Sequence, residues 1–158
     1  MKNICIDFLD ALGISIGAIS HTERLDTGLK KILRRTAERF EKKNHVYIIN
    51  LIIHHGVEFQ INHGALVQQT ATEFNEFNFS LNIPFESKKK EQAFKKLSFA
   101  NEFKYYEFQE LPNYALNLGN DQEKAYQIVF EILKEVYGFK NSTVIEFETH
   151  DQGRIIYN

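Results

Sequence analysis

The sequence predicts an α+β fold, an antiparallel β-sheet with helices packed mainly on one face. Three features carry the prediction. Several short runs alternate apolar and polar residues with the period of a strand. Turn-sized breaks join those runs. Between them lie longer stretches whose apolar residues recur at helical spacing. The predicted order is α-α-βββ-α-ββ-α-ββ, in one domain covering residues 1–158.

Residues 3–12 predict a short helix, because Ile4, Cys5, Phe8, Leu9 and Leu12 cluster at helical spacing. The following ISIGAIS is open between strand and loop. A longer helix is expected from about Thr22 to Lys43. Its stripe is Leu25, Leu29, Ile32, Leu33, Ala37 and Phe40, with Lys30, Lys31, Arg34, Arg35, Glu38 and Glu41 on the other side. Gly28 within it should cost roughly 1 kcal/mol relative to Ala.

The stretch IINLIIHHGVEFQINHG (48–64) reads as a hairpin, and its register follows from parity. Tyr47, Ile49, Leu51 and Ile53 share one face, as do Val57, Phe59 and Ile61. Opposed residues of an antiparallel pair point to the same side. A three-residue loop, His54-His55-Gly56, would pair Ile53 with Val57, Leu51 with Phe59 and Ile49 with Ile61. Glycine suits the left-handed third position of such a loop.

FNFSLNIPF (77–85) predicts a third strand, with Phe77, Phe79, Leu81, Ile83 and Phe85 on one face. Pro84 places it at an edge or marks its end. Ser87 can cap a helix over about 88–100 that buries Ala93, Phe94 and Leu97. KYYEFQE (104–110) and YALNL (114–118) predict a hairpin around Pro112-Asn113. Asn120 and Glu123 fit a capping box opening a helix with the stripe Ala125, Ile128, Val129, Ile132, Leu133 and Val136. Gly138 stops that helix, and Phe139 is placed to pack back on it. TVIEFET and RIIY predict a last hairpin, turning at Asp151-Gln152-Gly153.

Composition narrows the class. The 158 residues suffice for one domain with a real core, and 43% are apolar and 25% charged, as in globular proteins. With 14 Phe and 7 Tyr the chain has ample aromatic surface to bury. Lys and Arg number 19 against 21 Asp and Glu, a net charge of −2, so no nucleic-acid partner is expected from whole-molecule electrostatics. Cys5 is the only cysteine, which excludes an internal disulfide and fits a reducing compartment. Asp7 and Asp10 interrupt the apolar start of the chain, and no apolar run approaches the roughly 20 residues of a membrane span. A cytoplasmic protein with no membrane partner is the expectation.

The order from residue 22 to 139 is helix, three strands, helix, two strands, helix. Within it EQAFKKLSF (91–99) is followed by a strand and then by AYQIVFEILKEVYGF (125–139), an amphipathic helix closed by glycine. This pattern resembles the type III secretion chaperone-like fold. The resemblance implies a small non-enzymatic protein that binds another protein, commonly as a dimer. It carries no catalytic or ligand residue onto this chain.

The candidates for chemistry each have a plainer reading. His54 and His55 fall at the expected turn and His63 opposite Tyr47, so turn and far end are separated by about seven residues at roughly 3.3 Å each. One metal ion cannot be shared across that distance, and Cys5 is the single thiol where structural zinc wants four ligands. His150 beside Asp151 is read as another turn, and His21 as a helix-start residue. Glu146 and Glu148 share a strand face, which is usually the solvated side; Glu58 falls on a polar face in the same way. Gly13 and Gly17 stand too far apart to cradle a phosphate. Lys30, Lys31, Arg34 and Arg35, like Lys88, Lys89, Lys90, Lys95 and Lys96, read as solvated helix faces. No catalytic, cofactor-binding or metal-binding residue is therefore assigned, and no cofactor is expected.

Apolar excess is the stronger hint. The strand 46–53 carries Val46, Ile48 and Ile52 on its second face, which marks a central strand covered by a helix, by the N-terminal segment or by another subunit. The expected function is a protein-binding module, chaperone-like, burying a partner segment in an apolar groove or at a strand edge. The partner is a protein, with a second copy of the chain as one candidate. The alternative is a small-ligand binder or enzyme with an aromatic-lined pocket.

Overall fold

The computed structural model describes residues 4–6, 19–43, 45–53, 56–63 and 78–157, with the side chains of 4–6, 56–58, 63 and 154–157 outside the description. In chain order the elements are β1 (Ile4–Ile6), β2 (Ile19–Arg24), α1 (Leu25–Lys43), β3 (His45–Ile53), β4 (Gly56–His63), β5 (Phe79–Pro84), α2 (Lys88–Phe94), β6 (Lys104–Phe108), β7 (Leu111–Asn117), α3 (Gln122–Glu135) and β8 (Val144–Tyr157), with a 3-10 turn at Ala100–Glu102. All strand pairs are antiparallel, in the order β1-β8-β3-β4-β5-β7-β6, and β2 also pairs with β8. The α+β class expected from the sequence is the one observed.

One face of the sheet makes the core. Ile49, Leu51, Phe59, Ile61, Phe79, Leu81, Ile83, Ile145 and Phe147 are buried there, with Leu25, Leu29, Ile32, Leu33 and Phe40 of α1 and Ile128, Val129, Ile132 and Leu133 of α3 in the same cluster. Both helix stripes are those read from the sequence. Gly28 of α1 is a close-approach residue: a Cβ there would lie 2.7 Å from Glu23 Cβ and 3.1 Å from Phe147 Cε2. The glycine lets α1 lie against the strand before it and against β8.

Several boundaries differ from expectation. Ile4–Ile6 is a strand on β8, not part of a helix, since three apolar residues fit either period and pairing with Tyr157, Ile156 and Ile155 decides. The rest of the expected helix, and with it most of the N-terminal segment proposed as a cover, lies outside the described residues. Thr22–Arg24 pairs with Glu146–Val144, so α1 starts at Leu25 and its first amides donate to Thr143 and Asn141 carbonyls at 2.8 and 3.3 Å. In the β3–β4 pair Leu51 faces Phe59 and Ile49 faces Ile61, as parity demands, but Ile52 faces Val57 and Ile53 faces Gly56. A bulge at Glu58 changes parity, so Gly56 is strand and the expected loop of three is not formed. His63 pairs with Phe79 on β5. His54 and His55 lie outside the described residues.

The helix after Ser87 is shorter than expected. Ser87 does cap it, accepting from the Lys90 amide, but α2 ends at Phe94 and the chain continues in turns to the 3-10 segment. Asp121, one residue after Asn120, caps α3 by accepting from the Lys124 amide at 2.9 Å. At its far end Gly138, at φ +73°, donates its amide to the Lys134 carbonyl, a left-handed glycine cap, and Phe139 donates to the Leu133 carbonyl.

The last hairpin is instead one continuous strand. β8 runs through Asp151-Gln152-Gly153: Tyr47 faces Asp151 and His45 faces Arg154, leaving an extra residue on β8. Gly153 has φ +88° and donates its amide to Asp151 Oδ1 at 2.9 Å. The residues that would form a turn form a bulge here.

Candidate functional site: the free edge at strand β6

Among the described residues the sheet ends at β6, KYYEF, whose three aromatic residues favour the pleat, and Pro112 does not mark the hairpin turn as expected. The turn falls earlier, at Gln109-Glu110. Both residues are left-handed, at φ 51° and 63°, the requirement of a two-residue type I′ hairpin without its usual Asn-Gly. Phe108 faces Leu111, Tyr106 faces Asn113 and Lys104 faces Ala115. In a two-residue hairpin these alternate pairs carry the ladder bonds to β7. Pro112 sits in the intervening, unbonded pair with Glu107, and its carbonyl accepts from the Phe85 amide at 2.9 Å. The proline therefore fits inside β7 without breaking the β6 ladder.

The same alternation leaves Tyr105 and Glu107 with their backbone N–H and C=O groups directed outward. Among the described residues no strand lies beyond them. The side chains are equally uncovered: Tyr105 is 58% exposed, Phe108 59% and Tyr106 40%, and all five residues of the strand are exposed. Three large aromatic side chains on this edge stand apart from the other described phenylalanines and tyrosines, which mostly pack inward.

The edge is firmly backed. On the helix side Tyr105 packs edge-on against Tyr114 with centroids 5.5 Å apart, and Tyr114 meets Phe94 at 5.0 Å and Phe85 at 5.7 Å. Phe94 also meets Phe85 at 5.3 Å and Phe103 at 5.1 Å. The Tyr114 hydroxyl donates to Glu91 Oε1 at 2.6 Å, and Lys95 sits 2.6 Å from the same oxygen. Lys95 first, then Tyr114, holds the Glu91 carboxyl below its ordinary range. On the other side the Tyr106 hydroxyl donates to Asn82 Oδ1 at 2.7 Å. Burial raises both tyrosine hydroxyls, so both stay neutral donors.

The residues singled out by sequence lie elsewhere. His150 and Asp151 are neighbours in β8 and not in a turn. His150 Nε2 lies 2.9 Å from Glu148 Oε2, while Asp151 lies on the helix side, 2.9 Å from His45 Nδ1. Burial, then Asp151, pushes the Tyr47 hydroxyl up to about 12. Pattern reasoning missed the His45–Asp151 pair because the β3–β8 bulge creates it. Glu146 accepts from Ser20, and Glu148 from Asn50 at 3.2 Å. His21 is in β2, facing Phe147 in the register. The basic face of α1 borders a groove of about 500 Å³ against the start of α3, lined by Thr27, Lys30, Lys31, Arg34, Gln122 and Tyr126. Each of its cations has a carboxylate neighbour: Lys31 pairs with Glu23, Lys30 is 3.7 Å from Glu123 and Arg34 3.7 Å from Glu38. Among the described residues no three of His, Cys, Asp and Glu converge to hold a metal ion, and no helix is long and apolar enough to cross a membrane. Cys5 is in β1 by its backbone, and Glu58 is the bulge residue of β4.

No protein-family model, curated protein or solved structure matches the chain.

Proposed function

We propose that this protein is a non-enzymatic, cytoplasmic binding module, chaperone-like in action, that takes an extended segment of a partner protein onto the free edge of β6. The observation that carries the reading is an aromatic-rich edge strand, unpaired on its outer side among the described residues, at the end of a well-packed sheet. The order α1, β3-β4-β5, α2, β6-β7, α3 agrees with the order on which the chaperone-like resemblance rests.

Magnitudes say what must do the binding. Four backbone bonds from Tyr105 and Glu107, at about 1 kcal/mol net each, offset at most the low end of the freedom lost on association. Affinity must come from covering Tyr105, Tyr106 and Phe108. A partner strand with apolar residues on both faces does this, β-augmentation with side-chain selection. Lys104 and Glu107 restrain indiscriminate pairing, as charges on edge strands do.

A different protein fits the edge better than a second copy. A two-fold axis normal to the sheet keeps each side chain on its own face. Lys104 and Glu107 lie on opposite faces, so self-pairing never brings them together and at full overlap sets Lys104 against Phe108. A foreign segment can place a carboxylate opposite Lys104.

Extended peptides selected from a displayed library against the whole protein test the proposal. Glu107→Pro removes one outward N–H and none of the bonds to β7, so the fold by circular dichroism is retained and selected peptides no longer bind. Phe108→Asp, which leaves the backbone intact, weakens binding as well. Undiminished binding in both variants refutes the site. A concentration-dependent dimer abolished by Glu107→Pro overturns the choice of partner.

A further inference from the structure

The face of the sheet away from the helices carries polar side chains in register. One row crosses Glu148, Asn50, Gln60 and Asn82 on β8, β3, β4 and β5; the next crosses His150, Ile48, Asn62 and Ser80. At the centre of these rows Asn50 and Asn62 are each only 8% exposed. Buried polar atoms in folded proteins nearly always have partners, yet among the described residues Asn50 Oδ1 and Asn62 Oδ1 have none.

The Glu148 carboxylate, which can only accept, orients the Asn50 amide. Asn50 Nδ2 lies 3.2 Å from Glu148 Oε2 and 3.2 Å from His150 Nε2, and Asn62 Nδ2 lies 3.5 Å from Gln60 Oε1. Asn50 Nδ2 is turned to the Glu148 carboxylate and Asn62 Nδ2 to the Gln60 oxygen, and the two amide oxygens are left over. What is missing is a donor. The rows are closed at β3 and β4 and open at β8, where the Glu148 and His150 side chains are 31% and 32% exposed. His150, then Asn50, holds the Glu148 carboxyl below its ordinary range, so an ionised carboxylate stands at the mouth at neutral pH. Ile48 and Ile52, half-buried on either side of Asn50 along β3, supply aliphatic walls.

We infer that this face binds a small protonated aliphatic amine, its ammonium held by Glu148 and the free oxygens of Asn50 and Asn62, its methylenes along Ile48 and Ile52. An ammonium carries three donors and no acceptor, which is the complement of what the site offers. A metal ion is a poorer complement, since among the described residues no three ionisable ligands converge. The site is separate from the β6 edge, and neither proposal depends on the other.

Calorimetry and thermal denaturation of the full chain with putrescine, butane-1,4-diol and a lysine-containing peptide test it. Putrescine binds and raises the melting temperature, and the diol does neither. Glu148→Gln and Asn62→Ala each weaken putrescine at least tenfold, while circular dichroism stays unchanged. Absence of putrescine binding overturns the inference, as does equal affinity in both variants. Binding of the lysine peptide with putrescine silent overturns the small-molecule reading in favour of a protein side chain.

Discussion

Removing the Phe94 side chain should damage both the core and the support of the β6 edge. Phe94 is fully buried, and its ring lies 5.0–5.3 Å from those of Tyr114, Phe103 and Phe85. Burial of a phenylalanine contributes up to about 3 kcal/mol, and the cavity left by Phe94→Ala adds to the loss, for about 4 kcal/mol in all. For a domain of this size that lowers the melting temperature by roughly 8–16 °C. The surrounding rings are held at the end of β5, at the start of β6 and within β7, so the site has little freedom to collapse. Urea denaturation followed by circular dichroism measures the change. Phe108→Ala, at the exposed rim, is the control and should stay within about 0.5 kcal/mol. A loss below about 1.5 kcal/mol for Phe94→Ala, or equal losses for both, would refute the view that the aromatic cluster buttresses an edge whose rim residue Phe108 bears no load in the free protein.

Two further substitutions probe backbone requirements. Gly28→Ala improves helix propensity by about 1 kcal/mol, but its methyl meets Glu23 and Phe147. Net destabilisation by roughly 1–2 kcal/mol is expected by thermal denaturation, whereas a gain would mean α1 is free to move away. Replacing Gln109-Glu110 by Asn-Gly relieves two left-handed residues and should stabilise the protein by about 1–2 kcal/mol. No gain would show that the turn is not under strain.

Much of the fold is legible from pattern, and the misses have physical causes. The stripes of α1 and α3, the odd-numbered face of β3, β4 and β5, and the glycine closure of α3 all follow from periodicity over long segments. Ile4–Ile6 is too short to have a period, so its pairing with β8 decides. Asp151-Gln152-Gly153 has turn chemistry, and a glycine at positive φ with an Asp accepting from it serves a bulge as well as a hairpin. Gln109-Glu110 has no turn signal at all, and flanking strand pairing imposes the conformation against local preference. The candidate edge was half legible. KYYEF reads as a strand from its composition, but that it ends the sheet depends on β7 pairing with β5 on its other side, a long-range fact no local pattern carries. The amide oxygens of Asn50 and Asn62, unpartnered among the described residues, are hidden for the same reason: alternation marks polar positions, but burial on that face is a property of the assembled sheet.

Amide hydrogen exchange along β6, read residue by residue by nuclear magnetic resonance, tests the free edge most directly. In the protein alone, Lys104, Tyr106 and Phe108 should be protected by β7 while Tyr105 and Glu107 exchange fast, and a bound peptide should slow those two. Protection of Tyr105 and Glu107 in the unbound monomer, or a peptide that binds without changing them, would contradict it.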